Sequence, residues 1–350
     1  MLDISKFQRI IIRSFKRYKS LRANPFHARS ICKASLNHLQ PISIPIALIS
    51  QIQRSGGSLL SQLFDGHPEL HAHPHELKIG YPKKYHWPKI DINDNSSKWF
   101  KILFEDSVIR LFENGYKKEP TTNITFPFIF FPYLQKQIFE KYLSSLQDID
   151  LRDIFDAYMT SYFNAWLNNQ NSCGSKKYIT GFTPRLSDNP QNMENFFKIY
   201  PDGRLISIIR NPKDWFPSAY RHNKKIKKDK YGDLRRAIEQ WKTSTQAAVS
   251  NKLTYNDRVC VIRFEELIEK TELVMRHLSK FLDINFDTIL LAPTFNRNPI
   301  QANTSFDDCE SGIVKSTLAR HKTLTGEENE IIDEMIGDVY KSALDVMIEL

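Results

Sequence analysis

Arg54, Ser55, Gly56, Gly57 and Ser58 form one unbroken stretch a few residues after an apolar run, Ile46 to Ile49, and directly before Leu59 and Leu60. The run reads as a strand, the glycines as a tight turn, and the residues up to about Asp65 as a helix. That order turns backbone N–H groups toward whatever sits above the sheet edge. Arg54 adds a guanidinium, Ser55 and Ser58 add hydroxyls, and Gly56 and Gly57 permit a close approach that a β-carbon would obstruct. The guest implied is a phosphate or a phosphate-like anion. A nucleoside triphosphatase loop needs G-x-x-x-x-G-K-[ST], whose lysine and hydroxyl serve the terminal phosphates and magnesium, and neither is present here. The expectation is a nucleotide site that works without a metal.

A second group of anion-reading residues lies in Tyr200 to Tyr220. There Arg210 closes the apolar run Leu205 to Ile209, and Ser218 follows eight residues later near a helix start. Ligands of open parallel sheets bind at the carboxyl ends of strands, so Arg54 and Arg210 are expected to face one crevice. The alternative for Arg210 is a structural ion pair. Between the two groups, His67, His71, His73 and His75 precede Glu76. The last three histidines alternate as strand neighbours do, which suggests metal ligation. Pro74 interrupts a regular strand, however, and no metal is expected. The basic residues Arg221, Lys224, Lys225, Lys227, Lys228 and Lys230 either border a groove for an anionic acceptor or form a solvated helix end.

The elements needed to position these residues follow from the apolar pattern. Lys177 to Phe182, Leu205 to Ile209 and Arg258 to Phe264 are further runs without alternation, each followed by helical character. Buried strands of a parallel sheet read this way, so the fold class is α/β, three-layer α/β/α around a central parallel sheet. Residues 98–170 read as a helical acceptor-side insertion, with the aromatic stretch Phe126 to Tyr133 packed as core or stacked on sugar rings. Glu265 to Leu282 and Glu327 to Leu350 read as amphipathic helices with acidic starts. The expected organisation is a basic extension over residues 1–40, then a single domain over 41–350.

Composition sets the outer limits. The net charge is +9, and residues 1–40 hold nine lysines and arginines against Asp3 alone, so the remainder is close to neutral. That argues against a body built for nucleic acid. The extension fits either a basic amphipathic helix at an anionic membrane or a solvated terminus. With no apolar run suited to a signal peptide or a membrane span, the chain reads as cytoplasmic, peripheral to the inner membrane face if the extension binds lipid. The four cysteines lack C-x-x-C spacing and are expected to be reduced.

At this point the chain resembles the sulfotransferases that use 3′-phosphoadenosine 5′-phosphosulfate (PAPS), in particular the bacterial and Golgi-type branch acting on carbohydrates and tyrosines. Arg54-Ser-Gly-Gly-Ser58 is similar to that family's 5′-phosphosulfate loop, with Gly57 and Ser58 where two threonines are usual. Arg210, Pro212 and Ser218 are similar to its 3′-phosphate motif. The His67-Pro68 turn, Thr183-Pro184-Arg185, and Val259 to Leu267 ahead of a helix ending in Phe281-Leu282 extend the likeness over residues 44–345.

The resemblance implies a P-loop-like nucleotide-binding fold with PAPS as cosubstrate and 3′,5′-adenosine bisphosphate (PAP) as product. It implies nucleotide contacts from Arg54, Ser55, Gly56, Gly57, Ser58, Leu59, Arg210 and Ser218. A polar loop carrying Arg297, Asn303 and Ser305 is implied to close over the nucleotide. Catalysis falls to Arg54, with Glu76 as base and His75 as its second candidate. One departure stands out: Phe182 occupies the place of a usual lysine, with Arg185 or Lys315 as candidate replacements.

The function implied is sulfuryl transfer to a hydroxyl or amine of a carbohydrate or glycolipid acceptor. The alternatives are a non-catalytic nucleotide-binding protein of the same fold, and a polyanion or membrane-surface module driven by residues 1–40.

Overall fold

Ile46–Ile49 is short, apolar and buried along its whole length, and it becomes β1, the middle strand of a five-stranded sheet. The computed structural model describes residues 35–78, 86–116, 125–225, 232–300 and 312–350, together with Lys16 and Lys33. Asn303, Ser305, Lys227, Lys228, Lys230 and nearly all of the basic extension lie outside the described residues.

In chain order, β1 is followed by α1 (Gly57–Leu63) and β2 (Leu70–Glu76), then by four helices, α2 (Ser96–Leu103), α3 (Ser107–Asn114), α4 (Pro132–Ser144) and α5 (Leu151–Ala165). The sheet resumes with β3 (Tyr178–Phe182), α6 (Pro190–Ile199), β4 (Arg204–Ile209), α7 (Pro212–Lys225), α8 (Leu234–Tyr255) and β5 (Val259–Arg263). Helices α9 (Phe264–Glu269), α10 (Thr271–Phe281) and α11 (Gly326–Leu344) complete the chain, with a small hairpin, β6 (Thr294–Phe295) and β7 (Asn298–Pro299), between the last two.

The described chain forms two compact units. One holds Pro88–Ser172 and the segment that ends at Ser43; the other holds Ile44–Lys78, Trp87 and Cys173–Leu350. In the second unit the strand order is β2-β3-β1-β4-β5, and every neighbouring pair is parallel. The α/β class and parallel sheet expected from sequence are thus present. Ala47, Leu48, Ile49, Leu205, Ile206 and Ile208 are fully buried, and each such aliphatic side chain contributes roughly 1.5–3 kcal/mol by leaving water. This is why these strands show no polar alternation. The chain leaves β1 toward β2 on one side of the sheet and leaves β4 toward β5 on the other, so the crevice between the ends of β1 and β4 is a topological switch point.

Three elements differ from the sequence reading. The helix expected over Glu327 to Leu350 ends at Leu344 and is kinked at Gly337 (φ 45°, ψ −135°). Pro74 sits inside β2, where the pairing with β3 shifts register between Ala72 and Glu76; a residue without an N–H is tolerated at such an irregularity. The helix expected over Glu265 to Leu282 divides at Lys270, whose backbone (φ −124°, ψ 42°) leaves the helical region.

In the first unit α4 and α5 pack against each other, and Phe100, Phe104, Phe139 and Tyr158 fill its interior. The aromatic stretch after Phe126 joins this core, with Phe128 and Phe130 buried and stacked at 5.6 Å between ring centroids. Helix α5 starts from a reciprocal cap between Asp150 and Asp153, an arrangement that satisfies two otherwise orphaned N–H groups.

Candidate active site

The loop after β1 is tied to both neighbouring strands before it turns. The Ser50 N–H donates to Ile206 O at 3.1 Å, the Thr183 N–H to Ile49 O at 2.9 Å, and the Arg185 N–H to Gln51 O at 3.0 Å. The turn is reached through positive φ at Arg54 (71°) and Gly56 (99°). Gly56 has no alternative, since a β-carbon there would lie 2.6 Å from the Phe264 ring. Gly57 is required for another reason: a β-carbon would lie 2.2 Å from Gln51 Nε2 and 2.3 Å from the Phe182 ring. The two departures from the family pattern are therefore one packing solution, in which the Phe182 ring and the Gln51 amide fill the space that a side chain at 57 would need. Ser58 and Leu59 line the cavity above the loop, whereas Ser55 is buried outside the lining, its hydroxyl without a hydrogen-bond partner among the described residues.

Arg210 ends β4 as expected and is 3% exposed. Its Nη1 donates to Arg54 O at 3.1 Å and its Nη2 to Thr317 O at 2.7 Å, and its guanidinium lies 4.4 Å from the Phe264 ring centroid. Nε has no hydrogen-bond partner among the described residues. Burial lowers the Arg210 pKa to about 10, helped by the charges of Arg54 and Arg320 and opposed by Glu265 and Asp214. The group stays protonated at neutral pH, a buried cation whose Nε–H is unused among the described residues. Glu265 is in turn raised by burial, although it accepts the Asn211 N–H at 2.9 Å. Two indoles pin the loops from behind: Trp215 Nε1 donates to Gln53 O at 2.8 Å and Trp241 Nε1 to Arg210 O at 3.0 Å.

Above these groups lies a cavity of about 180 Å³ within the second unit, lined by Gln53, Arg54, Gly56, Gly57, Ser58, Leu59, Glu76, Phe182, Arg210, Ser218, His222, Phe264, Ile268, Val314, Thr317 and Arg320. Three guanidiniums meet there with one carboxylate. Arg54 and Arg210 thus share one crevice, with Ser218 beside them. Sequence reasoning missed Arg320, Thr317, His222 and Gln53. Arg320 and Thr317 sit on a 3₁₀ stretch, Lys315–Thr323, held to α7 by the His321 N–H and ring, both on Asp214 Oδ1 at 2.8 and 3.0 Å. The basic triplet Arg320-His321-Lys322 is the only trace of this in the sequence.

Glu76, also in the lining, closes β2 beside Phe182, its register partner, and Lys78 Nζ lies 3.4 Å from Glu76 Oε2. His75 is not among the lining residues; its Nδ1 contacts Glu76 O at 2.9 Å, and the neighbouring His73 Nδ1 contacts His75 O at 2.8 Å. His67 is a turn residue as read from sequence, with Nδ1 accepting the Glu69 N–H and Nε2 contacting Asn285 O. The candidate replacements for a cation at 182 are placed elsewhere. Arg185 pairs with Asp188 at 2.9 Å and donates to Gln240, and neither it nor Lys315 lines the cavity. Arg297 also lies outside the lining, its N–H donating to Asp65 Oδ2 at 2.8 Å.

The pattern described as "Sulfotransferase family" matches residues 45–288, which contain all five strands of the sheet and both anion-facing loops. The chain belongs to the sulfotransferase family. Among solved structures, this sulfotransferase resembles the sulfotransferase domain from the Synechococcus PCC 7002 olefin synthase, at 17% identity and a TM-score of 0.53 over 89% of this chain and 97% of that one. It also resembles the sulfotransferase domain from the curacin biosynthetic pathway (19% identity, TM-score 0.48, 84% and 98% covered) and the sulfotransferase from Alicyclobacillus acidocaldarius (14%, 0.44, 85% and 97%). The first of these likenesses is one of fold. No curated protein matches the sequence. Among the described residues of the sulfotransferase, no helix is long and apolar enough to cross a membrane.

Proposed function

We propose that this sulfotransferase moves the sulfuryl group of PAPS onto a hydroxyl or amine of a carbohydrate or glycolipid acceptor. The observation that carries the reading is that both anion-facing loops line one cavity, where Arg210 Nη1 is bonded to the Arg54 carbonyl. A nucleotide phosphorylated at two positions has an anion for each loop. The buried Arg210 Nε lacks a partner among the described residues and Gly56 and Gly57 leave no side chain in the way, which fits such a guest.

In this reading Arg210, Ser218 and Arg320 hold the 3′-phosphate, while Arg54, Ser58, Leu59 and the backbone around Gly56 and Gly57 hold the 5′-phosphosulfate. Ser55 supports the loop. Glu76 accepts the proton of the acceptor as its oxygen or nitrogen bonds to sulfur. The bond between sulfur and the 5′-phosphate oxygen breaks, and the negative charge that grows on that phosphate is met by Arg54. Preorganised electrostatics of this kind dominate transfers with little covalent chemistry for the protein to do. Arg221 and Lys224 are exposed next to the cavity residue His222, which supports an acceptor carrying anionic groups. His75 is kept as a second base candidate through its contact with Glu76. Asn303 and Ser305 remain proposed as part of a loop over the nucleotide. We place the protein in the cytoplasm, with the basic residues of 1–40 binding anionic lipid at the inner membrane face.

Titration with PAP, followed by transfer of labelled sulfate from PAPS to a glycan pool, tests the reading. Glu76→Gln is expected to bind PAP like the parent and to lose transfer by about 10²-fold or more, within the range for one well-placed proton acceptor. Full turnover in that variant removes Glu76 from the mechanism. PAP binding without transfer to any acceptor supports the non-catalytic alternative, which Phe182 in the place of a cation favours.

A further inference from the structure

Gln51 is the first residue of the loop after Ser50, it is 3% exposed, and neither Nε2 nor Oε1 has a hydrogen-bond partner among the described residues. Only its main chain is engaged, through the carbonyl that accepts the Arg185 N–H. An interior amide with both ends unpartnered costs stability, because the water it gave up is not replaced. The amide end lies at Gly57, where a β-carbon would meet Nε2 at 2.2 Å. Gly57 and Phe182 both line the cavity, and Phe182 is the register partner of Glu76. Gln51 does not itself line the cavity, but its amide donor lies against Gly57 and Phe182, which do, with no side chain at 57 to block it.

We propose that Gln51 is a substrate-binding residue for the group being transferred: its Nε2 donates to a sulfuryl oxygen of the donor nucleotide. The proposal rests on the PAPS reading above. The chemistry favours an amide here. Phe182 makes this wall apolar, and a second cation would be desolvated beside Arg54 while the nearby carboxylate, Glu76, already has Lys78 Nζ at 3.4 Å. A neutral N–H dipole supplies a directed donor without that cost, and a sulfuryl group offers three oxygens to meet it. PAP has no sulfuryl group, so Gln51 separates the two nucleotides.

The test uses the full chain and three measurements: the melting temperature of the protein alone, the affinity for PAP, and the affinity for PAPS without acceptor. Gln51→Met keeps the length of the side chain and removes both polar atoms. It is expected to melt at the parent's temperature or above, to bind PAP as the parent does, and to bind PAPS about 10- to 100-fold more weakly. Gln51→Glu keeps the shape and turns a negative charge on the sulfuryl oxygens; it is expected to lose more PAPS affinity than the Met variant, and it serves if the latter does not fold. An unchanged ratio of PAPS to PAP affinity in the folded variant overturns the proposal and leaves the functional reading standing. So does a lower melting temperature with that ratio intact, the signature of a packing role. A parent that binds neither nucleotide overturns the functional reading and this proposal with it.

Discussion

At the scale of single residues, Arg210 carries two loads at once. Its two Nη groups hold main-chain carbonyls of the Arg54 loop and of the 3₁₀ stretch, and its charge faces the cavity. Arg210→Ala is therefore expected to weaken PAP binding by about 10- to 100-fold, the range for losing a charge-assisted hydrogen bond. It should also lower the melting temperature of the protein alone, because Arg54 O and Thr317 O lose their donor. Calorimetric titration and a thermal melt check the two effects separately. Intact affinity would move the 3′-phosphate elsewhere. Arg54 and Arg210 were legible in sequence because each follows a strand that apolar patterning marks, whereas Ser218, expected near a helix start, lies in the middle of α7. Arg320 was not, because a 3₁₀ stretch has no apolar period and its approach to Arg210 is a tertiary event. Ser55 illustrates the converse: the motif names it, but the residue is buried and does not line the cavity.

At the scale of elements, the loop after β1 and the end of β3 are one packed object. Gly57→Thr, which restores the residue type usual in this family, is expected to destabilise the protein by roughly 1–3 kcal/mol through overpacking against Gln51 and Phe182. Urea unfolding measures it, and the double variant with Phe182→Ala should recover part of the loss as a coupling energy. Equal, additive losses would mean that Phe182 does not occupy that space. Strands β1, β3, β4 and β5 were readable as unalternated apolar runs. Strand β2 was less so, since histidines and Pro74 dilute its pattern, and the division of a helix at Lys270 follows from local backbone geometry that composition does not mark.

At the scale of the whole molecule, stability should depend on acid through histidines held neutral in the interior. Burial, with a smaller effect from Lys176, lowers the His71 pKa from 6.5 to about 3, and burial lowers that of His67 as well. Below pH 6.5 the unfolded chain takes up the proton and the folded chain does not. His71 therefore contributes its full share above pH 6.5 and loses it as pH falls toward 3. The expected loss is about 1 kcal/mol on going from pH 6.5 to 5.5 for this one histidine. Asp65 and Glu265, whose pKa values burial raises, oppose the trend, because the folded chain takes up their protons at a higher pH than the unfolded chain does. Urea midpoints at pH 7.5, 6.5 and 5.5 give the slope, and His71→Leu should flatten it. The charge of the extension belongs to this scale too. Deleting residues 1–40 is expected to abolish salt-sensitive binding to vesicles of anionic lipid while leaving PAP affinity unchanged, and binding that survives the deletion would locate the lipid contact elsewhere.

The two grips on the nucleotide grow from adjacent strands. β1 and β4 are locked in register at Ile49 and Ile206, and the Ser207 hydroxyl donates to Ser50 O at 3.1 Å just where the loops begin. The gap between them is thus set by sheet spacing rather than by a hinge. On the proposed reading the site is a caliper with fixed jaws, expected to bind nucleotides whose charged ends are closer or farther apart than those of PAP more weakly, whatever their base, which a competition titration measures.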